Sequence, residues 1–299
     1  MKNHIMLGSL FALLSALCYA IQTSVIKMAS THFPVPILVF IQSGVCLLIV
    51  MPILLYRYGA KAFNPIEFSS AKGQHFIRTV FSMGISYFLF AAIKKISFFD
   101  AVLLYNTFPL ITPFAALVIL RTKINHALWP FILLGYFGVA LTLQLDSNIF
   151  SSGALFAIAS GLSGAFAIVM LKKISTTDDG LKSLYYYFLF STVIGGVISI
   201  PFWHNAGYVN WFAIITIGIL FFFVQYCLVM ASIYTTPQVV SNLYYSTIIF
   251  SLILSCVVFH EILTDHMIVG MILIMLGGLG VIYFRNTKSS VKTAKIAMT

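Results

Sequence analysis

Uncharged polar side chains recur at helical spacing inside long apolar runs of the sequence. Tyr19 and Gln22 fall on one helical face, and Gln238, Asn242 and Tyr245 share another. In lipid an unpaired amide costs several kcal/mol, so these side chains should face the protein interior. We expect them to line a shared polar cavity that binds a small solute. Interhelical hydrogen bonds without ligand contact are the alternative.

The same reasoning over all the apolar runs predicts a larger set of substrate-binding residues. They are Tyr19, Gln22, Gln42, Ser86, Tyr105, Asn106, Gln225, Gln238, Asn242, Tyr244 and Tyr245. When Val118 is aligned on Val257, Tyr105 falls on Tyr244, so these two tyrosines are also predicted to gate the cavity. Glu261, at the end of an apolar run, is a third predicted gating residue. Packed aromatics, and a solvated loop end for Glu261, are the alternatives.

Charged side chains in these runs lie near the run ends, as at Lys27, Asp100 and Glu261. A buried carboxylate that relays protons is therefore not evident, although intramembrane ionisable groups usually mark ion paths. This distribution favours a neutral or zwitterionic substrate, or a facilitator or exchanger.

Enzymatic and metal-dependent chemistry finds little support in the motifs. A zinc protease helix would need a second histidine four residues after His260, and Thr264 stands there. The four cysteines form no CxxC pair, and no nucleotide-binding fingerprint is present. We therefore predict that the protein is not an enzyme, binds no metal and needs no cofactor.

The elements that position these residues are membrane helices. The chain is 61% hydrophobic and 8% charged with a mean hydropathy of +1.02, whereas soluble proteins carry about 25% charged residues. A bilayer core takes roughly 20 helical residues to cross. Ten apolar runs predict an all-α integral membrane protein with ten transmembrane helices; they are 6–28, 35–56, 75–93, 98–120, 127–144, 151–172, 182–200, 209–231, 237–259 and 266–284.

The distribution of positive charge predicts the orientation. With ten spans, fourteen of the seventeen Lys and Arg residues fall on one side, and Lys27, Lys94 and Lys95 on the other. We assign Arg78 to the fourteen, as a loop cation. The positive-inside rule then places both termini of this multi-pass protein in the cytoplasm. The net charge of +10 therefore does not predict a nucleic-acid partner.

The sequence repeats itself. Residues 8–17 and 153–162 are identical at six of ten positions, and small residues recur every fourth position in both segments. Because the two segments open spans one and six, which run in opposite directions, two inverted five-helix repeats are predicted, over 1–146 and 147–287, followed by a polar cytoplasmic tail over 288–299. Inverted repeats are common in secondary transporters, which hold substrate between the halves.

The end of the second half carries a more specific pattern. Glu261 follows an apolar span, with Gly270 nine and Gly277 sixteen residues later, and Pro109 and Pro113 lie in span four. Here the sequence resembles the EamA-type families of the drug/metabolite transporter superfamily. The first half departs from the pattern, with Thr122-Lys123 where the family often has Glu-Lys. The resemblance implies a ten-helix metabolite carrier of a bacterial inner membrane, with its cavity lined by spans 1, 3, 4, 6, 8 and 9.

The prediction is a secondary transporter of small organic metabolites, with amino acids or related compounds leading, that works by alternating access in the lipid bilayer. A cationic metabolite such as S-adenosylmethionine is an alternative because tyrosine faces bind cations. A lipid or amphiphile flippase is another, and it predicts a cavity open sideways to the bilayer. The glycines of span ten fit either a homodimer contact or internal packing; they are Gly270, Gly277, Gly278 and Gly280.

Overall fold

The protein is described by a computed structural model, and eleven α-helices lie in the part of the chain that it describes. The structure describes residues 2–30, 33–59, 69–121, 126–142, 151–174, 177–205, 211–234, 243–261 and 264–296. The helices are α1 (Lys2–Ala29), α2 (Val35–Tyr58), α3 (Lys72–Ile93), α4 (Phe98–Tyr105), α5 (Phe108–Leu120), α6 (Trp129–Thr142), α7 (Ser152–Ile174), α8 (Gly180–Ser199), α9 (Trp211–Tyr234), α10 (Ser246–Val258) and α11 (Asp265–Ile296). Short 3₁₀ turns cover His126–Leu128 and Ile200–Asn205. The predicted all-α class is confirmed.

Membrane-spanning character extends over most of these helices. Seven described segments are long and apolar enough to cross a bilayer, with α4 and α5 together forming one of them. Three shorter apolar helices, over His126–Leu141, Ser246–Val258 and Asp265–Gly280, lie in the predicted fifth, ninth and tenth runs. Every predicted run thus contains a helix, and the count of ten crossings stays a prediction. The last helix continues through Ile296, into the segment predicted to be a polar tail.

The predicted fourth span is broken rather than continuous. Helix α4 ends at Tyr105, and α5 begins two residues after Asn106. Pro109 lacks a backbone N–H, so it cannot donate the hydrogen bond that the carbonyl of Tyr105 would accept in a regular helix. Gly161 of α7 lies against that carbonyl, since a Cβ on Gly161 would be 3.0 Å from the Tyr105 oxygen. The break and the glycine together let α7 approach α4 closely.

Helices at equivalent positions of the two halves, called counterparts below, make equivalent contacts. Helix α1 packs on α9, and its counterpart α7 packs on α3; likewise α1 contacts α10 and α7 contacts α4 and α5. Helices α2 and α8, and α6 and α11, pack on their own counterparts. Arg121 (φ 53°) and His260 (φ 52°) adopt the left-handed conformation at the ends of α5 and just beyond α10. They are equivalent in the alignment that pairs Tyr105 with Tyr244.

Small residues make these contacts close. Ala12, Ala16 and Ala20 of α1 are fully buried, as are Ala157 and Ala165 of α7. The predicted stripes therefore lie at helix interfaces within the chain, where they allow close backbone approach.

The glycines of the last helix are also used within the chain. A Cβ on Gly277 would lie 2.7 Å from the backbone of Gly135 on α6, and a Cβ on Gly278 would overlap the Tyr245 hydroxyl. Internal packing accounts for these glycines, and the homodimer stays a prediction.

Candidate functional site

A central cavity of ≈ 140 Å³ lies between the two halves. Helices α1, α3, α4 and α5 line it from the first half, and α7, α8, α9 and Tyr244 from the second. Six of the eleven residues predicted from sequence line this cavity: Tyr19, Gln22, Ser86, Tyr105, Gln225 and Tyr244. The structure thus brings together polar groups from α1, α3, α4 and α9, more than 200 residues apart in the chain.

Aromatic rings form the midsection of the cavity. The Tyr19 ring centroid lies 5.7 Å from that of Tyr105 and 6.0 Å from that of Tyr244. Phe108 joins the same cluster, 5.6 Å from Tyr105 and 6.4 Å from Tyr244. The two tyrosines predicted as gates therefore share one layer of rings around Tyr19. Such rings stack on aromatic ligands and present faces that attract cations.

A glutamine pair borders this aromatic layer. Gln22 Nε2 donates to Gln42 Oε1 at 2.9 Å, and both side chains are buried. The other two amide atoms, Gln22 Oε1 and Gln42 Nε2, have no hydrogen-bond partner within the described part of the chain. Only Gln22 lines the cavity, so Gln42 sits behind it and orients its amide. An unpaired amide at a cavity wall is suited to a polar ligand atom.

The remaining predicted residues lie elsewhere. Asn106 is buried at the helix break, where its Nδ2 donates to the Val102 carbonyl at 2.8 Å and its Oδ1 accepts from Thr247 at 3.1 Å. Tyr245 is buried against Gly278, away from the cavity lining. Gln238 and Asn242 lie outside the described residues.

Arg78 is the main residue that sequence reasoning placed wrongly. It was assigned to a cytoplasmic loop, but it lies within α3, 7% exposed, and lines the cavity. The assignment of Arg78 as a loop cation is therefore wrong, although the residue does lie near one end of its predicted run. Its i, i+4 and i+8 register with Ser82 and Ser86 was the available signal. Position near the end of an apolar run hid it, because run ends are usually solvated.

Aromatic lining was also underestimated. Tyr187 of α8, Phe90 of α3 and Phe221 of α9 line the cavity and carry no polar pattern that would single them out. Phenylalanine is so frequent in the spans, with 28 in the chain, that sequence alone does not separate cavity rings from lipid-facing ones.

A group of polar contacts around Glu261 joins the two halves at one end of the cavity. The Glu261 cluster consists of Lys27, Phe98, Phe99, Ser255 and Glu261. Glu261 Oε1 accepts from Lys27 Nζ at 2.5 Å and from the Phe98 amide at 2.7 Å. Its Oε2 accepts from the Phe99 amide at 3.2 Å and from the Ser255 hydroxyl. The carboxylate thereby caps the amino terminus of α4, where negative charge is favourable.

The charge state of Glu261 follows from these contacts. Burial raises the pKa of Glu261, but the hydrogen bonds from Lys27, Ser255 and the two amides lower it more. The net pKa lies below the usual glutamate value, so the carboxylate is charged at neutral pH. The predicted gating residue therefore makes an ion pair between α1 and the end of α10.

A second carboxylate cluster lies near the opposite end of α3. The Asp178 cluster consists of Ser69, His75, Asp178 and Lys182. Asp178 Oδ2 accepts from the Ser69 hydroxyl and lies 2.8 Å from His75 Nε2, while Lys182 Nζ lies 3.8 Å from Oδ1. Burial raises the pKa of Asp178, whereas Ser69, His75 and Lys182 lower it to a value below the usual one.

The two clusters are separated by the length of α3. His75 lies in the first turn of this 22-residue helix, and Phe98 follows its end. At 1.5 Å per residue the helix is about 33 Å long, close to the thickness of a bilayer core. The cavity, with Arg78 and Phe90 in its wall, lies between them. Among the described residues, no three His, Cys, Asp or Glu side chains are grouped so that they could hold a metal ion.

Comparison with known proteins gives this architecture a family. The EamA-like transporter family matches residues 6–144 and again residues 151–283. The chain belongs to the EamA-like transporter family. The resemblance carried by Glu261, Gly270 and Gly277 is thereby confirmed, and so is the expected two-repeat organisation.

Individual relatives of this EamA-like transporter are distant. The chain is 24% identical over 234 residues to the riboflavin transporter of Vibrio cholerae serotype O1 (strain ATCC 39315 / El Tor Inaba N16961), covering 77% of each protein. It is 26% identical over 200 residues to solute carrier family 35 member G1 of Mus musculus, covering 60% of this chain and 51% of that protein. A crystal structure with a TM-score of 0.64 and 17% identity covers 96% of this chain and 99% of the other, which supports the fold. This EamA-like protein is a multi-span membrane protein of a transporter family. Membership of that family implies a small-molecule substrate.

Proposed function

We propose that this transporter moves small organic metabolites, with amino acids and related compounds as the leading class, by alternating access through the central cavity. The observation that carries the proposal is one polar and aromatic cavity lined by both halves, with a carboxylate cluster beyond each end. Hydrogen-bonding groups near aromatic rings suit an organic solute better than a bare ion. Alternating access then consists of opening one cluster while the other stays closed.

The cavity volume favours a compact substrate in this conformation. An apolar protein cavity of about 150 Å³ admits benzene, and the cavity here is ≈ 140 Å³. A single-ring amino acid side chain therefore fits in the cavity beside the tyrosines with little rearrangement. Wider ring systems need the cavity to expand as one end opens.

Gating is proposed to involve Tyr105, Tyr244 and Glu261. The two tyrosines contact Tyr19 and form the layer through which a solute would move past the cavity midsection. Glu261 must release Lys27 and two backbone amides before its end of the bundle opens. These contacts connect the rings at the centre with the ion pair at the end through α4, whose amino terminus Glu261 caps.

The orientation is proposed from charge. With Arg78 counted as a cavity residue, thirteen cations remain on the predicted cytoplasmic side and three on the other. The positive-inside rule then keeps both termini in the cytoplasm. In this orientation the Asp178 cluster faces the cytoplasm, and the Glu261 cluster faces outward.

Riboflavin is a second candidate substrate, favoured by one specific observation. A relative that shares 77% of its length with this chain carries the name riboflavin transporter. The tyrosine layer could stack on a flavin ring, and Gln22 could bond its polar edge. S-Adenosylmethionine and amphiphiles stay alternatives, and Arg78 in the cavity wall weighs against a cation.

Flux into proteoliposomes tests the proposal. We expect the purified protein to take up radiolabelled phenylalanine or riboflavin above empty liposomes, and Gln22→Ala to reduce that uptake at least threefold. Thr216→Ala is the matched control and should leave uptake unchanged, because Thr216 lies on α9 but does not line the cavity. Uptake of S-adenosylmethionine or transfer of a fluorescent lipid, with neither phenylalanine nor riboflavin moving, would overturn the proposed substrate class.

A further inference from the structure

The wall of the cavity contains one buried cation among its described lining residues, Arg78. Arg78 lies on the same face of α3 as Ser82 and Ser86, and all three line the cavity. The Arg78 side chain is 7% exposed. A charge placed this deep in a membrane protein is unfavourable unless it is paired or faces a polar cavity.

The contacts of Arg78 occupy one side of its guanidinium. Nη1 donates to the Ser183 carbonyl at 3.0 Å and to the Ser183 hydroxyl. The Tyr187 ring centroid lies 5.6 Å from Cζ. These bonds hold the guanidinium against α8 and fix its orientation. The opposite edge, Nε and Nη2, makes no hydrogen bond to any residue that the structure describes.

Protein carboxylates do not neutralise this cation. No Asp or Glu oxygen of the described residues lies within 4.0 Å of the Arg78 nitrogens. The nearest cluster along the chain uses its own carboxylate elsewhere, because Asp178 is held by Ser69, His75 and Lys182. The Nε and Nη2 donors form the planar fork that binds a carboxylate or phosphate through two parallel hydrogen bonds.

We propose that Arg78 is the anion-binding residue of the substrate site, and that the substrate carries a carboxylate or phosphate which pairs with its free edge. Ser82 and Ser86 supply hydroxyl donors along the same wall. This inference rests on the proposed function, and it narrows the substrate to an organic anion or a zwitterion held by its anionic group.

The shape of the cavity gives the substrate a direction. Arg78 and Phe90 both line it and lie twelve residues apart on α3, about 18 Å along the helix. The tyrosine layer of Tyr19, Tyr105 and Tyr244 borders the same space. An anionic group at Arg78 thus leaves the apolar or aromatic part of the substrate among the rings. A zwitterionic amino acid would place its ammonium near the tyrosine faces and the Gln22 carbonyl oxygen.

Two matched pairs of compounds test the inference on the purified full-length protein. 3-Phenylpropanoate and 3-phenylpropanamide differ in the carboxylate, and flavin mononucleotide and riboflavin differ in the phosphate. Dissociation constants come from ligand-dependent thermal stabilisation in detergent. We expect the anionic member of at least one pair to bind about tenfold or more tightly than its neutral partner. The pair that shows the preference tells whether the anion is a carboxylate or a phosphate.

The variants assign the preference to Arg78. Arg78→Met keeps an unbranched side chain about as long as the aliphatic part of arginine but removes the charge and the donors, so it should lose the preference while the neutral compound binds within about twofold of wild type. Arg78→Lys keeps the charge without the fork, so it should retain part of the preference; it also serves if Arg78→Met does not fold. Arg57→Gln, which removes an exposed cation at the end of α2, is the matched control and should keep the full preference.

The outcomes separate this inference from the proposed function. Equal binding of anionic and neutral compounds by the wild type, or a preference that survives in Arg78→Met, overturns the role of Arg78 alone. Binding of none of the four compounds to the wild type overturns the proposed substrate class, and the inference with it.

Discussion

The two ends of the cavity are closed by carboxylates of the same half but by different kinds of partner. At one end Glu261 accepts from Lys27 and two backbone amides of the first half, and from the Ser255 hydroxyl of its own half. At the other end, the partners of the Asp178 carboxylate among the described residues are the side chains of Ser69, His75 and Lys182. Water can replace side-chain donors one at a time, whereas the two amides are held together in the first turn of α4 and lose Glu261 together when α4 and the Glu261 segment separate.

This difference indicates which end requires the larger rearrangement. Opening the Glu261 end separates α1 and α4 from the segment after α10, and it uncovers both the Lys27 ammonium and a helix amino terminus. Opening the Asp178 end separates the start of α3 from the start of α8. We therefore expect the Glu261 cluster to contribute more to stability and the Asp178 cluster to open more readily.

The largest effect is expected from Glu261→Ala. It leaves the Phe98 and Phe99 amides and the Lys27 ammonium without their acceptor, which should lower the free energy of unfolding by about 2–3 kcal/mol. Unfolding in mixed detergent micelles measures the change. Glu261→Gln restores an acceptor without charge and should recover part of the loss. Wild-type stability in Glu261→Ala would show that the cluster does not hold this end together.

A smaller loss is expected from Asp178→Asn at the other end. The amide oxygen still accepts from Ser69, so the loss should be about 1 kcal/mol and the uptake rate should stay within about threefold of wild type. The same unfolding and flux measurements apply. If Asp178→Asn lowers the free energy of unfolding as much as Glu261→Ala does, the two clusters contribute equally to stability, contrary to the expectation.

Acidification should not open either carboxylate cluster near neutral pH. The pKa values of Glu261 and Asp178 are both lowered in the folded protein. Their stabilisation is therefore complete above the ordinary carboxylate pKa of about 4 and is lost only as the pH falls through the lowered values. Glu261→Gln should thus show the same dependence of stability on pH as the wild type between pH 5 and 8. A pH profile that flattens in this variant would contradict the assigned charge state.

The smallest effects on stability should come from the tyrosine layer between the two ends. Tyr105→Phe and Tyr244→Phe each remove only a hydroxyl, so the unfolding free energy should change by no more than about 1 kcal/mol. If the hydroxyls act in gating, uptake should fall several-fold in both variants. Tyr136→Phe, on the partly exposed surface of α6, is the control. Unchanged uptake in both cavity variants would remove the tyrosine hydroxyls from gating.

Sequence predicted the fold because lipid imposes simple rules. Apolar run length placed helices in all ten regions, and matching small-residue stripes predicted the contacts that the two halves share. Pro109 lacks the backbone donor that a continuous helix would need at the break after Tyr105, but Gly161 on another helix is what permits the close approach there. The spacing of residues within one helix does not show which residue of a distant helix will lie against them.

Site prediction succeeded where polar residues are rare and failed where charge was judged by position. Tyr19 and Gln22 stood out because amides and hydroxyls are costly in lipid. Arg78 did not, since an arginine near the end of an apolar run normally reaches the solvated surface. Asn106 and Tyr245 were polar and buried as expected, but a helix break and a packing contact, rather than the cavity, account for their positions.

If one cavity opens alternately at its two ends, a cysteine in its wall, Ser86→Cys, must become accessible from one side at a time. The experiment uses a background without the native cysteines. A bifunctional thiol cross-linker closes the Glu261 end through Lys27→Cys with Glu261→Cys, or the Asp178 end through Ser69→Cys with Asp178→Cys. Ser86→Cys is then probed with a membrane-impermeant thiol reagent from either side. We predict labelling only from the Asp178 side when the Glu261 end is closed, only from the Glu261 side when the Asp178 end is closed, and none when both are. Labelling that persists with both ends closed, or that comes from the same side in every state, would rule out alternating access through this cavity.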